Sequence, residues 1–102
     1  MHPQVDVERE ALADLCRRHN VRRLSMFGSA VREDFDAERS DVDVMVEFEP
    51  SRMPSLAGLV ALQDELSQLF GGRKVDVTTP SILRNPYRRR SIESDLEVLY
   101  AA

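Results

Sequence analysis

The chain has 102 residues, of which 42% are hydrophobic and 31% are charged, and its formal net charge is −4. This composition is typical of a globular protein, and the length suits a single domain over residues 1–102 with a modest core. The negative net charge argues against a general nucleic-acid binder, because such proteins are usually basic. Direct binding of nucleic acid is therefore not expected, whereas a nucleotide bound together with a cation is compatible with this charge.

Cys16 is the only cysteine, so an internal disulfide is impossible. Its helical spacing from Leu12 favours a buried thiol over a reactive one, because free cysteine prefers the protein interior. The N-terminus lacks the apolar stretch of a signal peptide, and no apolar run approaches the length of a membrane span. We therefore expect a cytoplasmic protein without a membrane partner.

The first predicted element is a helix over residues 5–20, because Leu12, Leu15 and His19 recur at helical spacing. Asp6 is the candidate residue for capping its start. His19 falls in the last turn, where the helix C-terminus favours a structural histidine over a metal or substrate ligand.

Two strands follow, separated by a polar and acidic segment over residues 30–40. The first covers residues 21–27 and ends at Gly28. The second covers residues 41–49, where alternation places the valines and Phe48 on one apolar face, with Asp41 and Asp43 on the opposite face. Aspartate is a poor strand former, and two like charges on one sheet face repel each other, so this pair indicates a function that compensates the cost.

In the second half, Ser55 predicts the start of a helix whose leucines recur at steps of three and four residues. Asp76 lies in a third short strand and faces away from the flanking valines. A short helix after Pro86 and an extended segment near residues 98–100 complete the chain. This order predicts an α/β (α+β) fold, with a small mixed β-sheet flanked by helices.

The Gly28-Ser29 pair at the end of the first strand is a candidate phosphate-binding turn. Glycine permits close approach of the backbone, and free N–H groups with a hydroxyl can hold a phosphate. Asp41 and Asp43 lie about 6.5–7 Å apart along a strand, a separation that can accommodate divalent ions. Asp76 can join them if its strand pairs with theirs. Each feature alone also occurs in ordinary turns and on solvated surfaces, but their combination favours a site for a metal ion and phosphates.

Residues 25–50, "SMFGSAVREDFDAERSDVDVMVEFEP", resemble the signature of the minimal nucleotidyltransferases (MNT domains) of the DNA polymerase beta superfamily. That signature is Gly-Ser, a ten-residue spacer, Asp-x-Asp, and a third aspartate on a later strand. The resemblance extends over roughly residues 10–100. The spacer here, residues 30–40, has eleven residues, one more than the common pattern.

The resemblance implies a DNA polymerase beta-like fold and a nucleotidyl transfer in which ATP is the expected donor and two Mg²⁺ ions are the cofactors. A hydroxyl attacks the α-phosphorus and pyrophosphate leaves, while the third aspartate helps to deprotonate the hydroxyl. The implied nucleotide-binding residues are Gly28, Ser29 and Arg32, and the implied catalytic and metal-binding residues are Asp41, Asp43 and Asp76.

Small MNT proteins resemble the antitoxins of MNT–HEPN toxin–antitoxin pairs, which attach AMP to a tyrosine of the HEPN ribonuclease toxin. The resemblance therefore implies a protein adenylyltransferase whose partner is a HEPN-type toxin. Two alternatives stay open: a non-catalytic module that neutralises its partner by binding, favoured by the longer spacer, and a nucleotidyltransferase that acts on RNA or a small molecule. The arginines near the C-terminus, Arg84 and Arg88–Arg90, lie beside Tyr87 and could face the triphosphate, a partner, RNA or only solvent.

Overall fold

The computed structural model of the chain describes residues 7–28, 31 and 41–102. Its described elements follow the predicted order, and a 3-10 helix that was not predicted lies at Pro80–Arg84. None of the helices within these described ranges is long and apolar enough to cross a membrane. The elements are α1 (Arg9–Arg18), β1 (Val21–Phe27), β2 (Val42–Phe48), α2 (Leu56–Leu69), β3 (Val75–Thr78), α3 (Pro86–Asp95) and β4 (Glu97–Ala101).

The four strands form one mixed sheet in the order β3-β2-β1-β4. Strand β1 pairs in antiparallel fashion with β2 and β4, whereas β2 and β3 are parallel and are joined through α2. A parallel pair needs such a crossover connection, which is commonly a helix. The predicted fold class, a small mixed sheet flanked by helices, is confirmed.

One face of the sheet, hereafter the core face, packs against α1 and α2. Val42, Val44 and Val46 are fully buried here, as the alternation of β2 predicts. Cys16 is also fully buried, so the predicted core thiol is confirmed, and burial raises its pKa to about 12. The helix residues buried in this cluster are Leu12, Leu15, Cys16, Leu62 and Leu66.

The opposite face, hereafter the acid face, is partly covered by α3. Phe27, Met45 and Ile92 form a second, smaller apolar cluster there. The alternation of β2 assigns Met45 to the side that carries the aspartates, but the residue is only 4% exposed. The prediction of a single apolar face was therefore incomplete, because Ile92 of α3 packs on this side and removes Met45 from water.

The ends of α1 and α2 can be compared with the predicted ends. The Ser55 hydroxyl accepts a hydrogen bond from the Gly58 N–H at 3.2 Å, which confirms the predicted cap of α2. Helix α1 is shorter than the predicted range of residues 5–20, and it is followed by Asn20 at φ +59°. The predicted cap Asp6 lies outside the described residues.

Candidate active site

Gly28 directly follows β1 and adopts φ +78°, a conformation that favours glycine. Its carbonyl accepts a hydrogen bond from the Val31 N–H at 3.0 Å, so the chain turns immediately after the strand. A Cβ atom at this position would lie only 2.7 Å from Oδ2 of Asp43. The absence of a side chain thus allows the backbone of the turn to approach the carboxylate of the next strand.

Asp43 and Asp76 occupy paired positions in the parallel ladder of β2 and β3. Paired residues on adjacent strands point to the same face, and the strands lie about 4.8 Å apart. The valines on either side of these two residues are also paired, and they point to the core face. The register therefore places both carboxyl-bearing residues next to each other on the acid face.

Asp41 immediately precedes β2 and lies on the same side as Asp43 by alternation. The start of β2 is joined to the start of β3 by a hydrogen bond from the Val42 N–H to the Lys74 carbonyl at 2.9 Å. The Lys74 ammonium lies 3.8 Å from Oδ2 of Asp41, and its side chain is 70% exposed. An exposed ion pair of this kind contributes little to stability, so a divalent metal ion could displace the Lys74 ammonium from Asp41.

The donor set of the acid face suits magnesium. Over residues 7–28, 31 and 41–102, no three His, Cys, Asp or Glu side chains are close enough to hold a metal ion by themselves. Magnesium, however, commonly takes one or two protein carboxylates and completes its octahedral shell with water and substrate phosphates. Asp43 and Asp76 supply that number of carboxylates at neighbouring positions.

A cleft of about 330 Å³ opens between the acid face and α3. Gly28 and Asp43 line the sheet side, and the helix contributes Arg88, Ser91 and Asp95 at positions that share one side of α3. This volume lies within the range of small-molecule sites. The remaining lining residues are Phe27, Tyr87 and Ile92.

The helix side of this cleft is the part that sequence reasoning missed. The sequence predicts a helix after Pro86 that carries several arginines. It does not indicate which of these arginines faces Asp43. Two other predicted site residues, Ser29 and Arg32, lie outside the described residues, and their roles stay predictions.

The family model of the nucleotidyltransferase domain matches residues 8–99. The chain belongs to the nucleotidyltransferase family. One relative is MJ1379 of Methanocaldococcus jannaschii, which is named as a protein adenylyltransferase. It is 38% identical to this chain over 79 residues, which cover 78% of this chain and 77% of that protein. Protein adenylyltransferase MntA of Thermococcus cleftensis is 40% identical over 72 residues, covering 71% of this chain and 69% of that one.

Two solved structures have the same fold as this nucleotidyltransferase. One, classed as a minimal nucleotidyltransferase, has a TM-score of 0.67 at 32% identity and covers 87% of this chain and 86% of that chain. The other is a chain of a toxin–antitoxin crystal structure with AMP-PNP, with a TM-score of 0.67 at 16% identity and coverage of 94% and 75%. At that lower identity the likeness concerns the fold alone. The predicted identity as a minimal nucleotidyltransferase, an enzyme with this fold, is confirmed.

Proposed function

We propose that this nucleotidyltransferase transfers AMP from ATP to a tyrosine hydroxyl of a HEPN-type ribonuclease toxin, and that it thereby acts as an antitoxin in the cytoplasm. The observation that carries the proposal is the close approach of the Gly28 backbone to the Asp43 carboxylate. Both residues line a cleft large enough for part of a nucleotide, and Asp43 is paired with Asp76 on the neighbouring strand. The names of the relatives support a protein acceptor. A chain with the same fold occurs in a toxin–antitoxin crystal structure with AMP-PNP, so this fold is compatible with a nucleotide ligand and a toxin partner.

In the proposed reaction the acceptor oxygen forms a bond to the α-phosphorus. The bond from that phosphorus to the oxygen bridging the α- and β-phosphates breaks, and pyrophosphate leaves with the electron pair. The proton of the acceptor hydroxyl passes to the Asp76 carboxylate, which is exposed at the edge strand β3 and is accessible to a protein substrate. The role of the chain is largely to position the reactants, because phosphate transfer needs alignment and charge stabilisation more than covalent chemistry.

Asp41, Asp43 and Asp76 would hold the two Mg²⁺ ions together with the phosphates of ATP. When bound, the ions neutralise charge on the attacking and leaving oxygens. Gly28, Ser29 and Arg32 would contact the phosphates, the first through the backbone that approaches Asp43.

The test is transfer of label, in the presence of Mg²⁺, from ATP labelled at the α-phosphate to the protein product of the neighbouring open reading frame. We expect label on the partner, and we expect its loss when the acceptor tyrosine is changed to phenylalanine. A stable complex that acquires no label would contradict the proposed chemistry. Label on purified tRNA without any protein partner would favour the RNA alternative.

The second candidate function is neutralisation by binding alone. The observation that favours it is the ion pair between Lys74 and Asp41, together with the absence of a three-residue metal-binding group in the described part of the chain. The double variant Asp41→Ala with Asp43→Ala distinguishes the two functions. If it protects cells from the toxin as well as the parent does, binding suffices; if protection is lost while the complex still forms, transfer is required.

A further inference from the structure

Three consecutive arginines at the start of α3 point in different directions, because successive residues of a helix are about 100° apart. Arg88 lines the cleft that contains Asp43. Arg89 donates from Nε to Oε1 of Glu93 at 3.1 Å, one turn further along the helix. Arg90 does not line this cleft but lies at an adjoining groove, which shares Tyr87 with the cleft. Of these three arginines, Arg88 is therefore the one that lies in the same cleft as Asp43.

The backbone at this end of α3 is already occupied. The Asn85 side chain accepts hydrogen bonds from the N–H groups of Tyr87 at 3.0 Å and Arg88 at 3.3 Å. The Arg89 N–H donates to the Asn85 carbonyl at 2.8 Å. An anion in the cleft would therefore be held by a side chain of α3 rather than by its first N–H groups.

The charges of the cleft point to a phosphate ligand for Arg88. Among the described lining residues, Asp43 and Asp95 are acidic and Arg88 is the only basic one. A guanidinium presents a planar fork of donors that binds two phosphate oxygens at once. The adenine base is neutral and offers a guanidinium no charge to pair with, whereas the phosphates do.

We propose that Arg88 binds the β- and γ-phosphates of the nucleotide, an inference that rests on the proposed function. Gly28 and Asp43 lie on the sheet wall of the cleft, and Arg88 lies on the helix wall. A nucleotide that reacts beside Asp43 thus extends the phosphates beyond its α-phosphorus towards Arg88. When the bond between the α-phosphorus and the bridging oxygen breaks, negative charge develops on the departing pyrophosphate. A preorganised donor on that group stabilises the charge as it forms.

The test compares three variants that remove the same charge from the same helix: Arg88→Gln, Arg89→Gln and Arg90→Gln. The ligands are α,β-methylene ATP, which cannot release pyrophosphate, and AMP, each titrated calorimetrically with Mg²⁺ present. For Arg88→Gln we expect the dissociation constant of the ATP analogue to rise about tenfold or more, because a charged hydrogen-bonding partner is lost. The dissociation constant of AMP should change less than about twofold, since AMP lacks the two outer phosphates.

Arg89→Gln and Arg90→Gln are the matched controls, and both should bind the two ligands within about twofold of the parent. Arg88→Lys, which keeps the charge but not the fork, should fall between the parent and Arg88→Gln. Pyrophosphate gives an independent readout: the concentration that half-inhibits transfer should rise for Arg88→Gln by a factor similar to that for the ATP analogue.

Equal binding of the ATP analogue by Arg88→Gln and the parent would overturn the assignment of Arg88 and leave the proposed function intact. An equal loss of affinity for AMP and the analogue would also overturn it, because the contact would then not be to the outer phosphates. Failure of the parent itself to bind any nucleoside triphosphate would overturn the proposed function, and the inference with it. Since Arg88 is exposed, thermal unfolding at the parental temperature is expected for both Arg88 variants.

Discussion

The two faces of the sheet use the same strands for different purposes. On the core face of β2, Val42, Val44 and Val46 are fully buried against the helices. On the acid face the next positions along the same strand carry Asp43 and Met45, the first at the cleft and the second beneath α3. Alternation along one strand thus separates apolar packing from charge by a single residue.

This difference implies that stability and chemistry can be changed separately. The core face contributes through the removal of apolar surface from water, whereas the acid face contributes carboxylates whose mutual repulsion does not favour folding. Substitutions on the two faces should therefore have nearly independent effects as long as they share no contacts.

The largest expected effect is on the acid face. Asp43→Asn removes the charge of the carboxylate next to Gly28, and AMP transfer should fall about 100- to 1000-fold, equivalent to about 3–4 kcal/mol. The free energy of unfolding should change by less than about 1 kcal/mol. Label incorporation and urea denaturation measure the two quantities. Asp64 is an exposed acid on α2, so Asp64→Asn is the control and should retain the parental transfer rate. If Asp43→Asn transfers AMP at more than a tenth of the parental rate, the role assigned to Asp43 is refuted.

The core face should show the opposite result. Leu66→Ala leaves a cavity at a fully buried position of α2 and should lower the free energy of unfolding by about 2–5 kcal/mol. Transfer per folded molecule should stay at the parental value. Leu56→Ala on the same helix is the control, because that side chain is 78% exposed and should cost less than about 0.5 kcal/mol. Similar losses for the two variants would mean that α2 does not pack as described.

Gly28→Ala is expected to affect both stability and catalysis. The φ of +78° makes alanine cost about 1–2 kcal/mol, and the new Cβ would displace the Asp43 carboxylate. Gly72→Ala is a close control, because Gly72 has φ +85° and open space around its Cβ direction. Both variants should lose similar stability in thermal unfolding, but only Gly28→Ala should also lose transfer activity. Equal activities in the two variants would show that the close approach has no role in catalysis.

The smallest expected effect concerns the contact between α1 and α2. Glu65 accepts a hydrogen bond from Arg18 at 2.9 Å and pairs with His19, and these partners hold its pKa below the ordinary value of 4.5. A lowered folded-state pKa means that the contribution is present above pH 4.5 and is lost as the pH falls through the folded value. Glu65→Gln should therefore cost about 0.2–1 kcal/mol near neutral pH and less in acid.

Urea denaturation of Glu65→Gln at pH 7 and pH 3 checks this sign. Glu93→Gln serves as the control, because Glu93 pairs with Arg89 on the exposed surface of α3 and does not connect two helices. A Glu65→Gln penalty that stays the same at both pH values would rule out the proposed linkage.

Much of the fold could be predicted from local patterns. Alternation identifies β2 and its two faces, the Ser55 hydroxyl caps α2, and Asp76 faces away from its flanking valines. The 3-10 helix at Pro80–Arg84 could not be predicted in this way, because short helical turns carry weak local signals. The pairing of Glu65 with His19 joins residues far apart in the chain, so no local pattern indicates it.

For the candidate site, the chain itself specifies the chemistry: glycine at the turn, and carboxylates that alternation excludes from the core. These follow from backbone sterics and the two-residue period of a strand, which act over a few neighbouring residues. The tertiary structure decides the rest. Parallel pairing of β2 with β3 places Asp76 beside Asp43, and the packing of α3 on the acid face selects Arg88 from three adjacent arginines. Strand register and helix rotation depend on contacts between distant segments, and only the folded chain brings those segments together.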